Sequence, residues 1–291
     1  MHGNHSNKEL PQPMIDEVIF LRHGRTGFNL QRRLQGQIDI PLDIVGQWQV
    51  DQSAYSLAQR FYWAKVSNIA THPDLLPHSA DPSVRRMDVD EYRKAPASGR
   101  TMRVVSSDLF RAQQTAHAFA DILGLDVYLD ARLRERSFGQ WEGMTREEIR
   151  ERFPEGFRSW TAHTGGELDY GVESRADLGA RGATTIADYV RTHAQDPTPT
   201  TLFVVSHGSW IAATIGTLLD MDMDNLNTLD GIRNAFWSTM GVSADATGTH
   251  WVLTEFNQGP AIAAAGDWEN GPAALRNPDM GVWKPVKGAK A

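Results

Sequence analysis

Two apolar runs in this chain end the same way. Val18-Ile-Phe-Leu21 runs into Arg22-His23-Gly24, and Leu202-Phe-Val-Val-Ser206 runs into His207-Gly208. Short, continuous, β-branched runs are the pattern of strands buried on both faces, which belong to a mainly parallel sheet covered by helices. If the two strands lie parallel, both His-Gly endings emerge at one sheet edge, the edge where open α/β sheets bind ligands. The fold class predicted is therefore α/β with a mainly parallel central sheet.

The rest of the chain fits that frame. Val50, Ala54, Leu57 and Phe61 recur at helical spacing and predict a helix over about 46–63, with Gln49, Gln52, Gln59 and Arg60 on its outer face. A stretch rich in Pro, Asp, Ser and charge follows and reads as an insertion at about 64–100. Strands are predicted at 102–106 and 127–129. Ser107-Asp108 is the expected N-cap of a helix reaching Leu123. Thr145 and Glu148 have capping-box spacing, and Ser174 can cap a helix running towards His193. Residues 234–240 and 249–256 look like two closing strands. Residues 1–13 read as a flexible leader, 14–257 as the folded domain, and 258–291 as a Gly/Ala/Pro-rich tail with Trp268 and Trp283 as candidate anchors.

Composition excludes several kinds of function. The 291 residues carry a formal charge of −7, so no global basic field holds nucleic acid or an anionic membrane, and an anion must be bound by a local cluster. There is no cysteine, which removes disulfides, thiolate nucleophiles and cysteine-ligated zinc. His2, His5, His72 and His78 form no ligand-spaced set, and no Gly-rich phosphate loop or dinucleotide fingerprint occurs, so neither a metal nor another cofactor is expected. The N-terminus has no apolar signal core and no run approaches membrane-spanning length, which makes a cytoplasmic location the expectation.

Chemistry concentrates at the predicted edge. It gathers His23, the segment Ser107–Arg111, and His207. Arg22 and Arg111 offer planar forks suited to phosphoryl oxygens. A histidine among them is pushed towards its neutral, nucleophilic form and can attack phosphorus in line, while the arginines and the second histidine stabilise charge on the equatorial oxygens. A phosphohistidine at His23 follows. The leaving oxygen needs a proton, and the loop after the third strand, RLRERSFGQWEG, supplies Glu135. Glu142 and Asp108 are the alternative donors. Arg25, Arg32 and Arg33 read by default as a solvated basic face, and Trp141, Trp160 and Trp210 as core or rim packing.

With these residues in view, the chain resembles the histidine phosphatase superfamily, the phosphoglycerate-mutase-like fold. The motifs are Leu21-Arg-His-Gly-Arg-Thr26 with Asn29, Arg33-Leu-Gln-Gly36 with Asp39, Ser106-Ser-Asp-Leu109 with Arg111 and Thr115, Leu133-Arg-Glu135 with Trp141-Glu-Gly143, and His207-Gly208. The resemblance implies a three-layer α/β/α fold and His23 as nucleophile. It also implies a phosphate pocket of Arg22, Arg111 and His207, with Asn29, Gln35, Gly36 and Gly208 as further contacts, and Glu135 as proton donor. Gly208 stands where acid phosphatases of the superfamily carry an acidic donor, and Glu135-Arg-Ser-Phe-Gly139 stands where mutases carry Glu-Arg-His-Tyr-Gly. Both favour a phosphatase acting on a small phosphorylated metabolite. Gln35–Asp39, Val172–Arg175 and Asn234-Ala235 with Trp237 resemble actinobacterial glucosyl-3-phosphoglycerate phosphatases, which implies a homodimer and a sugar or glycerate phosphate as substrate. A phosphoglycerate mutase and a non-catalytic phosphate-binding regulator are the rival readings. Segments 64–100 and 154–172 are expected to line the substrate side.

Overall fold

The computed structural model describes residues 12–223, 229, 231–276, 279, 281 and 282. The expected leader falls almost wholly outside the described residues, and so does Trp283. The first half contains β1 (Ile15–Arg22), α1 (Gly27–Leu30), α2 (Ile44–Arg60), α3 (Tyr62–Thr71), α4 (Met87–Lys94), β2 (Thr101–Ser106), α5 (Phe110–Leu123) and β3 (Val127–Leu129). The second contains α6 (Arg146–Arg152), α7 (Pro154–Ala162), α8 (Arg175–Thr192), β4 (Thr200–Ser206), α9 (Gly208–Leu218), β5 (Trp237–Asp245), β6 (Gly248–Gln258) and α10 (Ile262–Ala265).

The six strands form one sheet in the order β3-β2-β4-β1-β5-β6. β1 to β4 run parallel, while β5 is antiparallel to β1 and to β6. Along β1 the side chains alternate between two cores. Val18 and Phe20 pack with β4, α8 and α9 residues such as Leu178, Leu202 and Ile211. Ile19 and Leu21 pack with Leu57 of α2 and Ala116 and Phe119 of α5. Helices thus cover both faces in a three-layer α/β/α arrangement, which explains the unbroken apolar run. A third, smaller cluster of Phe138, Trp141, Ile149 and Val172 joins α6 and α7 to the loops around them.

Several local expectations are corrected. Leu109, not Ser107 or Asp108, occupies the N-cap of α5, because the Asp108 carboxylate is taken by Arg134 at 2.6 Å. The first turn of α5 is satisfied from elsewhere: Phe110 N donates to Asp39 Oδ1 at 2.7 Å. Gln49 is buried rather than outward. Its Oε1 accepts from Arg25 N at 2.9 Å and its Nε2 donates to Trp268 O at 2.8 Å. Arg25 is likewise buried, paired with Asp43 at 2.8 Å, and Arg33 pairs with Glu148 at 2.7 Å. The first closing strand starts at Trp237, not 234, because Ala235 turns at φ +59 and its N–H donates to Arg22 O and His23 O at 3.1 Å.

The stretch 64–100 holds the end of α3 and all of α4, and it lies at the other end of the sheet from both His-Gly turns. Asn68 donates to the carbonyls of Leu123 and Gly124 ahead of β3, and Arg100 pairs with Asp16 at the start of β1. It therefore does not line the substrate side. Within the Gly/Ala/Pro-rich tail, Trp268 is buried against Trp48 and Phe236, with ring centroids 5.2 and 5.7 Å apart, and its Nε1 donates to Asn234 O at 3.0 Å.

Trp268 thereby ties the tail to α2 and to the turn beside His23. Trp268→Ala should lower stability by about 3–5 kcal/mol, the usual cost of removing a buried indole. Urea unfolding at neutral pH measures it, and a loss below about 1 kcal/mol would mean that the tail does not brace this turn.

Candidate active site

β1 and β4 end flush, and β2 ends one residue earlier. Arg22 lies opposite Ser206, and Ser106 opposite Val205. The next residues, His23, Ser107 and His207, therefore leave the sheet side by side. His23 N still donates to Ser206 O at 3.0 Å, and Ser107 N to Val205 O at 2.9 Å, so both turns begin as extensions of the ladder.

His23 is 2% exposed. Its Nδ1 lies 2.7 Å from Gly24 O, and a carbonyl only accepts, so the ring proton sits on Nδ1 and Nε2 keeps its lone pair. Burial, then the Arg111 and Arg22 charges, holds the His23 pKa well below the ordinary histidine value of 6.5. The ring is neutral at physiological pH. His207 is fully buried, with its ring centroid 5.1 Å from that of His23, and burial followed by Arg111 lowers its pKa as well. His207 Nε2 is 2.9 Å from Ser107 Oγ, which itself accepts from Leu109 N at 3.3 Å. With the serine hydroxyl donating to Nε2, the His207 proton sits on Nδ1, the ring nitrogen that has no partner.

Arg111 is fully buried. Its Nη1 and Nη2 donate to the carbonyls of Ile38 and Gly36 at 2.8 and 2.9 Å. Burial brings its pKa down to about 10, opposed by the Glu135 and Asp39 carboxylates. Arg22 donates from Nη1 to Ile232 O. What remains is a set of buried donors with no hydrogen-bond partner: Arg22 Nε, Arg111 Nε and His207 Nδ1. Each such group costs about 1–3 kcal/mol when left unmade. Three of them beside one bare imidazole nitrogen match the acceptor oxygens of a phosphoryl group.

Glu135 is 9% exposed, and its carboxylate accepts from three backbone N–H groups. These are Arg136 N at 2.8 Å, Trp210 N at 3.1 Å and Ser209 N at 3.2 Å. Two of them are orphan donors of the first turn of α9, which His207 leaves uncapped. The backbone around Glu135 is pinned carbonyl by carbonyl: Arg132 O by Trp210 Nε1, Leu133 O by Ser206, Arg134 O by Arg181, and Glu135 O by Gln37. The alternative carboxylates are otherwise engaged. Asp108 holds Arg134 through both oxygens, and Glu142 Oε1 accepts from Gln37 N and Phe138 N at 2.9 and 3.1 Å.

The remaining expected residues frame this centre. Asn29 Oδ1 accepts from Thr26 N at 3.1 Å and from Asn234 Nδ2 at 3.3 Å, and the same Asn234 amide donates to His23 O at 3.1 Å. Gln35 Oε1 accepts from Thr26 Oγ1 at 3.0 Å. Gly36 adopts φ +52, and a Cβ there would lie 2.1 Å from Glu142 Oε1, so only glycine presents this carbonyl to Arg111. A Cβ on Gly208 would come within 3.2 Å of Arg22 Nε, so its absence lets the guanidinium lie against α9. Pattern reading overlooked Arg181, named Asn234 and Thr115 only as parts of motifs, and took Ser107 for a helix cap. Thr115 Oγ1 accepts from Gly24 N at 3.2 Å. Arg181 lies on α8, where helical spacing does not distinguish it from a solvent-facing arginine. Among the described residues no group of three or more His, Asp or Glu is arranged to hold a metal ion, and no helix is long and apolar enough to cross a membrane.

Comparison with known proteins bears on this arrangement. A glucosyl-3-phosphoglycerate phosphatase of Mycolicibacterium vanbaalenii is 29% identical over 261 residues, covering 86% of this chain and 97% of the relative. A probable phosphoglycerate mutase of an Enterobacter species is 30% identical over 212 residues, covering 70% of this chain and 75% of the relative. The solved native structure of a mycobacterial glucosyl-3-phosphoglycerate phosphatase superposes with a TM-score of 0.60 at 27% identity, covering 84% of this chain and 99% of that one. The sequence profile of the histidine phosphatase superfamily (branch 1) matches residues 18–69 and 89–258, and the unmatched gap lies within the α3–α4 excursion. By the extent of that match, across every segment that contributes to the His23 centre, the chain belongs to the histidine phosphatase superfamily, branch 1.

Proposed function

We propose that this protein hydrolyses a small phosphate monoester through a phosphohistidine at His23. The observation that carries the reading is the set of unpartnered buried donors, Arg22 Nε, Arg111 Nε and His207 Nδ1, beside a neutral imidazole. His23 Nε2 attacks phosphorus in line with the departing oxygen, while Nδ1–H donates to Gly24 O and holds the ring's orientation. Arg22, Arg111 and His207 donate to the equatorial oxygens as their charge grows, in a site already dry. Glu135 gives its proton to the leaving oxygen, and as a carboxylate then draws a proton from the water that attacks the phosphohistidine. Asn29 and Gln35 border the same pocket as secondary contacts, and Gly36 and Gly208 shape it. No step needs a metal ion.

The relatives support a sugar or glycerate phosphate as substrate, glucosyl-3-phosphoglycerate first among them. The mutase-named relative keeps a second reading open, in which phosphate returns to substrate instead of passing to water. Phosphate release from a panel of esters, with EDTA present and no bisphosphate added, separates the two. The phosphatase reading requires steady release, whereas no release, with the phosphate shifted along a phosphoglycerate once a bisphosphate primes the enzyme, establishes the mutase.

Two substitutions test the roles. Glu135→Gln should slow turnover by about 10²–10⁴-fold with inorganic phosphate binding largely kept, and near-normal turnover would move the proton to another group. His23→Ala should abolish release altogether, and release that persists would move the nucleophile to a neighbouring group such as Ser107 or His207.

The buried imidazoles also make a pH statement. Their folded pKa values lie below 6.5, so on acidification the unfolded chain takes up protons before the folded one does. The stability they contribute is complete above about pH 6.5 and drains as pH falls towards their folded pKa values. NMR of the imidazole nitrogens should show both rings still neutral at pH 6. A ring half-protonated near 6.5 would contradict this description of the site.

A further inference from the structure

Against the reaction centre lies a cavity of about 390 Å³, within the range of small-molecule sites. Its wall carries four guanidiniums, from Arg32, Arg136, Arg146 and Arg175, with the Trp160 indole and an apolar floor from α8 and α9. It meets the centre at Glu135. Ser209, which lines the cavity, donates its N–H to Glu135 Oε2 at 3.2 Å, and Arg136 is the next residue along the chain. With Glu135 read as the group beside the departing oxygen, this is the space on the leaving group's side of the centre.

Two of these arginines, Arg136 and Arg175, carry unmade hydrogen bonds. Arg136 is 4% exposed, and its Nη2 has no hydrogen-bond partner. The nearest carboxylate, Glu167, stays 3.6 Å away, and its own Oε2 is unbonded. Arg175 Nη1 is also buried without a partner, and the Arg175 charge adds to burial in lowering the Arg136 pKa. Arg146 lies 4.8 Å over the Trp160 ring, which fixes its position without neutralising it. Among the described residues neither Arg146 nor Arg175 makes a salt bridge. Like charges held together with unmade hydrogen bonds are destabilising unless an anion joins them.

We infer that this cavity is a second anion subsite, which takes a carboxylate or phosphate carried by the leaving group of the ester. Arg136 and Arg175 donate to it, Arg146 supplies a third charge, and Trp160 with the apolar floor covers the carbon skeleton. The inference rests on the reading of Glu135 as the group beside the departing oxygen. It makes the substrate an ester with two anionic ends and places discrimination in Arg146 and Arg175, outside the residues that do the chemistry.

Calorimetry on the His23→Ala protein, which binds without turning over, reads the subsite apart from catalysis. The probes are glycerol 3-phosphate and 3-phosphoglycerate, which differ by a hydroxymethyl against a carboxylate, and propane-1,3-diol bisphosphate, which offers a phosphate in that place. At least one doubly anionic ligand should bind about 10-fold or more tighter than glycerol 3-phosphate, and the tighter of the two names the second group. Arg175→Gln and, separately, Arg146→Gln should each remove most of that advantage while glycerol 3-phosphate binds within about two-fold of before. Equal binding of all three ligands overturns the inference, as does an equal loss for all of them in both variants. If the preference is found but wild-type protein forms no phosphoenzyme, the subsite stands and the catalytic reading fails.

Discussion

The hydrogen bond from His23 N to Ser206 O, 3.0 Å long, carries the β1–β4 ladder one residue past its last paired position. Because β1 and β4 are parallel and in register from Val18–Leu202 to Arg22–Ser206, both strands run out together, and both histidines turn away at the same height. β2 ends one residue short of them and contributes Ser107. A shift of one residue in either pairing would send the imidazoles to opposite faces of the sheet. The apolar alternation that buries Val18 and Phe20 on one face, and Ile19 and Leu21 on the other, therefore also sets the reaction geometry.

The electrostatics follow from placing cations at a dry edge. Arg22 and Arg111 keep their charge, although burial lowers the pKa of both, and burial first, with the nearby guanidiniums second, keeps both histidines neutral. The carboxylate that acts most on both guanidiniums is Glu135. It is anchored not to them but to the first turn of α9, the helix that His207 opens. The proposed proton carrier and the second histidine thus share one helix N-terminus, and the backbone that holds Glu135 is bonded at every carbonyl from Arg132 to Glu135. Such bracing keeps the carboxylate oriented through a cycle in which its charge changes.

The sequence made legible what is local. Apolar runs announced β1 and β4, and the residues just after them announced the site, since a strand end is known within a residue or two. The structure brings His23, His207, Arg111 and Glu135 together at those strand ends. Long-range partners were not legible. Gln49 falls on a polar helical stripe yet is buried because the tail folds back to meet it through Trp268, from 219 residues away. Arg25 looked like surface charge until Asp43 and the carbonyl of Glu269 enclosed it. Ser107-Asp108 had the chemistry of a helix cap, but Arg134 and His207 claimed those side chains. The α3–α4 excursion was conspicuous by composition, and nothing in its sequence says that Asn68 and Arg100 bind it to the far end of the sheet.

The excursion's position leaves the wall above Glu135 to segments 136–178, where Trp160 and the unsatisfied arginines lie. The proposed reaction turns on one chemical event, the transfer of a phosphoryl group to His23. The most direct test is to mix enzyme with the best ester found, quench with alkali within milliseconds, digest, and locate the phosphate by mass spectrometry. Phosphate on the peptide carrying His23, stable to base and lost in acid, is the predicted result. Phosphate on any other residue, or turnover with no phosphoenzyme at any quench time, would contradict the account.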